Sequence, residues 1–174
     1  GYYDPNAPPV QGLATARMMA MISYRSYQSF EARFGRRRMV RDTEELFAIE
    51  SYLRYQGEKL VRRFDANCYV RLTQKMDSHD VSRGRGPYPE VLAEIRQPAL
   101  VVGIDSDVLY PLVEQEELVN HLPNASLYVL HSPHGHDAFS IETKILNEVL
   151  HEWISTIIPE QAWSMPQARS ETAV

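Results

Sequence analysis

Ala99-Leu-Val-Val-Gly-Ile104, leading into Asp105-Ser-Asp107, and Ser126-Leu-Tyr-Val-Leu-His131, leading into Ser-Pro-His-Gly-His136-Asp137, are the stretches that decide the fold. Each begins as a short apolar run and ends in a polar loop, which predicts a strand buried on both faces of a parallel sheet. Between them Pro111 to His121 reads as a helix and Pro123-Asn124 as a turn. Upstream, Pro89 to Ile95 suits a short helix with proline in its first turn, ended by Pro98. Downstream, Ile141, Ile145, Val149 and Ile154, with Leu146, Leu150, Trp153 and Ile157, form the apolar face of an amphipathic helix. Strand, helix, strand, loop, helix is the order of a doubly wound α/β protein. Two strands are too few for a stable open sheet, so the remaining strands are expected from sequence beyond these 174 residues.

Residues 13 to 76 have a different character. Leu13, Ala16, Arg17, Ala20, Met21 and Tyr24 share one helical stripe. Phe34-Gly35 and the basic run Arg36-Arg37-Arg38 read as a break and a solvated loop. Glu44 to Leu60 reads as one or two helices. A further helix from Ala66 to Met76 has Asp65 placed to cap it. No strand is expected here. The resulting division is a helical segment over residues 1–85, an α/β segment over 86–158 and a flexible polar tail over 159–174.

Composition narrows the function classes. With 44% hydrophobic and 24% charged residues the chain is an ordinary globular one, and a net charge of -5 argues against a nucleic-acid partner. The single cysteine, Cys68, excludes an internal disulfide, suits a reducing compartment and is expected to pack as a small apolar group. No apolar run approaches the roughly 20 residues needed to span a bilayer, and no signal-peptide pattern is visible, so a cytoplasmic location without membrane contact is expected.

In an open α/β sheet, functional groups gather in the loops beyond the carboxyl ends of the strands. The first strand delivers Asp107 there, with Asp105 as a rival acid; the second delivers His136. Their separation of 29 positions (136 − 107) leaves room for one crossover helix and the return strand. A serine hydroxyl becomes a useful nucleophile only when an imidazole takes its proton, and a buried carboxylate holds that imidazole in the right tautomer. The chain order in α/β-hydrolases is Ser, then Asp or Glu, then His. The last two fit. The Gly-x-Ser-x-Gly nucleophile elbow does not occur in the chain and is expected upstream of Gly1. His131, His134 and His136 lie close in sequence, but no carboxylate motif at zinc spacing accompanies them, and no metal is expected.

More selective residues support a family resemblance. Gly12-Leu-Ala-Thr-Ala-Arg17, Ser23-Tyr-Arg-Ser26, Phe30-Glu-Ala-Arg-Phe34, Ser51-Tyr-Leu-Arg-Tyr-Gln-Gly-Glu-Lys59, Arg63-Phe-Asp-Ala-Asn-Cys-Tyr69, Asp107-Val-Leu-Tyr-Pro111 and Gly135-His-Asp-Ala-Phe139 occur in order over residues 1–157. In these stretches the chain resembles the homoserine O-acetyltransferase family, particularly its fungal branch. The resemblance implies the C-terminal part of an α/β-hydrolase fold, with strands and flanking helices, plus a helical lid. It implies ping-pong transfer of an acetyl group from acetyl-CoA, a co-substrate rather than a bound cofactor, to the hydroxyl of L-homoserine. Asp107 and His136 then serve as triad acid and general acid/base, and Arg17 and Asp137 hold the amino-acid carboxylate and ammonium. An N-terminal segment bearing the nucleophile and a homodimer formed through the lid are the implied partners. Without that segment the chain is expected to be inactive. An acceptor other than homoserine (serine, or an alcohol of the deacetylcephalosporin C type), a succinyl donor, a plain esterase and a non-catalytic interaction fragment remain as alternatives.

Overall fold

The structure, a computed structural model, describes residues 3, 4 and 6–158. The polar tail expected over 159–174 lies outside the described residues.

The first half is helical. Helix α1 spans Val10–Ser23, and α2, Tyr27–Arg33, starts where the Ser26 hydroxyl accepts from the Ser29 amide at 3.1 Å. Helix α3 spans Ala48–Val61 and α4 spans Ala66–Asp77. The Asp65 carboxylate caps α4 by accepting from the Cys68 amide at 2.8 Å. Leu13 and Met21 of α1 are buried, as is Leu60 of α3. The two helices approach closely because Gly57 faces α1: a Cβ there would stand 2.9 Å from the Ala14 carbonyl oxygen.

Two expectations for this half are corrected. Residues 38–47 are an antiparallel hairpin, with β1, Arg38–Arg41, paired to β2, Glu44–Phe47, in the register Arg38↔Phe47 to Arg41↔Glu44. The two-residue turn Asp42-Thr43 takes φ of 49° and 73°, as the tightest hairpin turns require. Arg38 leaves the expected loop to pair with Glu45 at 3.1 Å and to lie 4.9 Å over the Phe47 ring. Cross-strand charge and cation–π contacts hold a largely exposed ribbon that burial alone does not drive. Cys68 is exposed, not packed, because α4 buries none of its residues among those described.

The second half is α/β. Helix α5, Tyr88–Ala93, leads into β3, Ala99–Ile104; α6, Leu112–His121, crosses over to β4, Ala125–Leu130. The strands pair in parallel from Ala99↔Ala125 to Ile104↔Leu130. Gly103 admits α6 onto the sheet, since a Cβ there would fall 2.5 Å from Leu112 Cδ1. A 3₁₀ turn at Gly135–Asp137, a short α7, Ala138–Ile141, and α8, Thr143–Ile157, follow. The core joins Ile104, Leu130 and Ala138, with Val102 and Tyr128 against them. Burial on both strand faces was expected. Instead β3 is only half-buried from Ala99 to Val102, since each strand has one hydrogen-bonded neighbour among the described residues.

Candidate active site

Parallel pairing brings the ends of β3 and β4 to one edge, and the two loops lock together there. Ser106 Oγ donates to the Ser132 carbonyl and accepts from the Gly135 amide at 2.9 Å. Gly135 takes φ 66°, which turns the chain sharply enough to place His136 above Asp107. His136 Nδ1 stands 2.8 Å from Asp107 Oδ2. The other carboxylate oxygen, Oδ1, accepts from the amides of Leu109 at 2.8 Å and Tyr110 at 3.0 Å. The Asp107 side chain is 4% exposed and that of His136 is 25% exposed. A buried carboxylate is tolerable because it is so fully hydrogen-bonded, and it has no freedom to turn away from the imidazole.

Aromatic rings enclose the imidazole. Tyr24, Tyr110 and Phe139 lie with centroids 5.7, 5.2 and 5.6 Å from it. A cavity of about 710 Å³ opens beside it, lined by Asp107, Tyr110, His136 and Phe139, by apolar residues of β3 and α8 and by the mostly polar face of α6 that carries Glu114 and Glu117. With Nδ1 directed at the carboxylate, Nε2 is the nitrogen left to exchange a proton with a substrate or nucleophile.

The rival acid has its own histidine. Asp105 Oδ2 lies 2.9 Å from His131 Nδ1, and Oδ1 accepts from the Ser132 amide at 3.1 Å. The His131 side chain is 81% exposed. The His131 hydrogen bond, followed by the Ser132 amide, holds the Asp105 carboxyl below its ordinary range. This pair braces the loops at the surface, away from the enclosed imidazole.

Salinibacter ruber has a homoserine O-acetyltransferase that is 61% identical to this chain over 157 residues, spanning 90% of the chain and 45% of that protein. The chain belongs to the homoserine O-acetyltransferase family. It spans less than half the length of that relative. The relative is bacterial, so the fungal leaning of the sequence reading finds no support in it. No protein-family model matches the chain. Among solved structures, a homoserine O-acetyltransferase from Bacillus anthracis superposes with a TM-score of 0.75 at 19% identity, over 86% of this chain and 42% of that one. Esterase E22 superposes with a TM-score of 0.74 at 18% identity, over 88% and 44%. At these identities the likeness shows the fold alone, the partial α/β-hydrolase fold of the family.

Against this homoserine O-acetyltransferase frame, Asp107 and His136 are together. Arg17 and Asp137 are not in contact. The Arg17 guanidinium lies 5.5 Å from the centre of the Tyr24 ring, which itself stands 5.7 Å from the imidazole. The Asp137 carboxylate is held by Arg25, whose Nε donates to Oδ2 at 2.8 Å. From the sequence Arg25 reads only as a residue shaping the helical lid, with no catalytic role. The Ser23-Tyr-Arg-Ser26 stretch contains it, but nothing in local spacing pairs it with a residue 112 positions away. Among the described residues no cluster of His, Cys, Asp and Glu side chains is placed to hold a metal ion, and no helix is long and apolar enough to cross a membrane.

Proposed function

We propose that these residues form the acid–base half of a Ser–Asp–His acyltransferase that moves an acetyl group from acetyl-CoA to the hydroxyl of L-homoserine. The observation that carries this reading is the 2.8 Å contact of His136 with a buried, fully hydrogen-bonded Asp107, in a chain of this family.

In the first half-reaction His136 Nε2 takes the proton of a nucleophilic serine as its Oγ attacks the thioester carbonyl. The carbon–sulfur bond then breaks and His136 returns the proton to the departing CoA thiolate. In the second, His136 deprotonates the homoserine hydroxyl, which attacks the acetyl-serine ester. The serine leaves with the proton that His136 gives back. Asp107 fixes the tautomer throughout and stabilises the imidazolium formed in each step. The serine comes from an N-terminal segment of the same enzyme, since no Gly-x-Ser-x-Gly occurs among these 174 residues.

Arg17 and Asp137 are the proposed holders of the acceptor's carboxylate and ammonium. What supports them is position: Asp137 follows the histidine, and Arg17 lies against Tyr24, which stands beside the same imidazole. Residues 1–85 serve as the lid, through which a cytoplasmic homodimer forms. That reading draws on exposed apolar side chains, among them Met19 (67% exposed) and Ile22 (53%), beside Phe47 on α1 and β2.

The test is steady-state kinetics of the full-length enzyme with acetyl-CoA and a panel of acceptors. Parallel double-reciprocal lines with homoserine, and much weaker turnover with serine, are expected. Acetyl-CoA hydrolysis unaffected by any amino acid would replace the transferase reading with an esterase.

A further inference from the structure

The helical segment and the histidine loop meet along one continuous polar seam, and Arg25 is at its centre. Arg25 sits between α1 and α2. Its Nε donates to Asp137 Oδ2 at 2.8 Å, and its Nη1 donates to Ser29 Oγ at 3.1 Å. Ser29 Oγ in turn lies 3.0 Å from His134 Nδ1. Ser26 Oγ donates to the Pro133 carbonyl, and the Asp137 amide donates to the Tyr24 carbonyl at 3.0 Å.

The backbones are as close as the side chains. A Cβ on Gly135 would stand 2.8 Å from the Ser26 amide nitrogen and 3.0 Å from the Arg25 carbonyl carbon. The Arg25 and Asp137 side chains are 13% and 22% exposed, so this is a largely desolvated ion pair, not a surface one. Water does not replace a lost partner cheaply at such a site.

We propose that Arg25 is a positioning residue. By holding Asp137 it fixes the loop that carries His136, and with it the imidazole over Asp107, so the helical segment and the acid–base pair move as one unit. The same contact orients Asp137, occupying Oδ2 and leaving Oδ1 for a ligand. A guanidinium suits the role because its rigid fork reaches a carboxylate and a hydroxyl at once, whereas a lysine ammonium is a single point of charge. This inference rests on the triad reading only for its kinetic consequence. The ordering of the loop does not depend on it.

The experiment uses the full-length enzyme with Arg25→Gln, Arg25→Lys, Asp137→Asn and the Arg25→Gln/Asp137→Asn double variant. Each is measured for acetyl transfer, for hydrolysis of p-nitrophenyl acetate, for thermal midpoint and for backbone hydrogen exchange over residues 132–138. Arg25→Gln is expected to speed exchange in that segment and to lower kcat for both reactions by roughly 10²-fold, the cost of a small misplacement at the reacting centre. Arg25→Lys recovers part of the loss, and the double variant falls well short of the product of the single losses.

Exchange over 132–138 unchanged in Arg25→Gln, or kcat within twofold of wild type, overturns the proposal. Should the glutamine variant fail to fold, Arg25→Lys carries the test. A kcat loss of about tenfold at an unchanged midpoint supports the role, and wild-type kcat and exchange overturn it. A wild-type enzyme that transfers no acetyl group refutes the proposed function instead, and the exchange measurement then decides the role of Arg25 by itself.

Discussion

Asp107→Asn isolates the tautomer on which the chemistry depends. Asparagine keeps the shape of the side chain but offers one accepting oxygen and one donating amide. The Oδ1 position faces two backbone donors, Leu109 at 2.8 Å and Tyr110 at 3.0 Å, so the amide oxygen settles there. The NH₂ group then points at His136 Nδ1, 2.8 Å away in the wild type, and obliges that nitrogen to accept. The imidazole proton moves to Nε2, which can no longer take a proton from serine or homoserine. In the serine-protease triad the equivalent change costs roughly 10⁴ in kcat, about 5.4 kcal/mol of barrier at 1.36 kcal/mol per decade. The assay is single-turnover release of CoA thiol from acetyl-CoA by the full-length enzyme, alongside a thermal melt. The variant should melt close to the wild type, because neither shape nor the backbone donors are lost. A folded variant that retains more than a tenth of the wild-type rate would refute the assigned role of Asp107.

Asp105→Asn changes a carboxylate that pairs with exposed His131, so kcat should stay within about threefold of wild type in the same assay. Gly135→Ala puts a Cβ against the Ser26 backbone at a φ of 66° and should lower unfolding stability by about 2 kcal/mol or more, read from the denaturant midpoint. The Asp65 carboxyl is held below its ordinary range by the Tyr3 hydroxyl and then the Cys68 amide. The stability it contributes is therefore present above the unfolded pKa and is lost as pH falls through the depressed folded value. Protection of the amides at the start of α4, taken relative to their intrinsic exchange rates, should fall below about pH 4 in the wild type and change little over that range in Asp65→Asn.

Much of the second half was legible because its elements are bounded by chemistry that acts locally. Pro98 bounds the first apolar run on its N-terminal side, Pro111 and Pro123 bound the helix between the two runs, and the observed strands fall within a residue of the expected ones. Asp107 and His136 were legible for the same reason, since parallel pairing carries the ends of neighbouring strands to one edge. The hairpin at 38–47 was not. Its turn is Asp42-Thr43 rather than a glycine pair, and its strands are four residues long and mostly exposed, so neither turn chemistry nor alternation of burial marks it. The pairing of Arg25 with Asp137 stayed hidden because it is fixed only where the end of α1 meets the histidine loop. Arg17 was assigned by resemblance, and its stacking on Tyr24 follows the helical stripe that the two residues share on α1.

Intact-mass analysis of the full-length enzyme after mixing with acetyl-CoA, with and without L-homoserine, tests the acid–base assignment most directly. An acetyl adduct on the protein is expected within one turnover, discharged on adding homoserine, and absent in His136→Ala. No adduct in the wild type, or one lost to water at the same rate with and without homoserine, would contradict a homoserine acetyltransferase driven by His136 and Asp107.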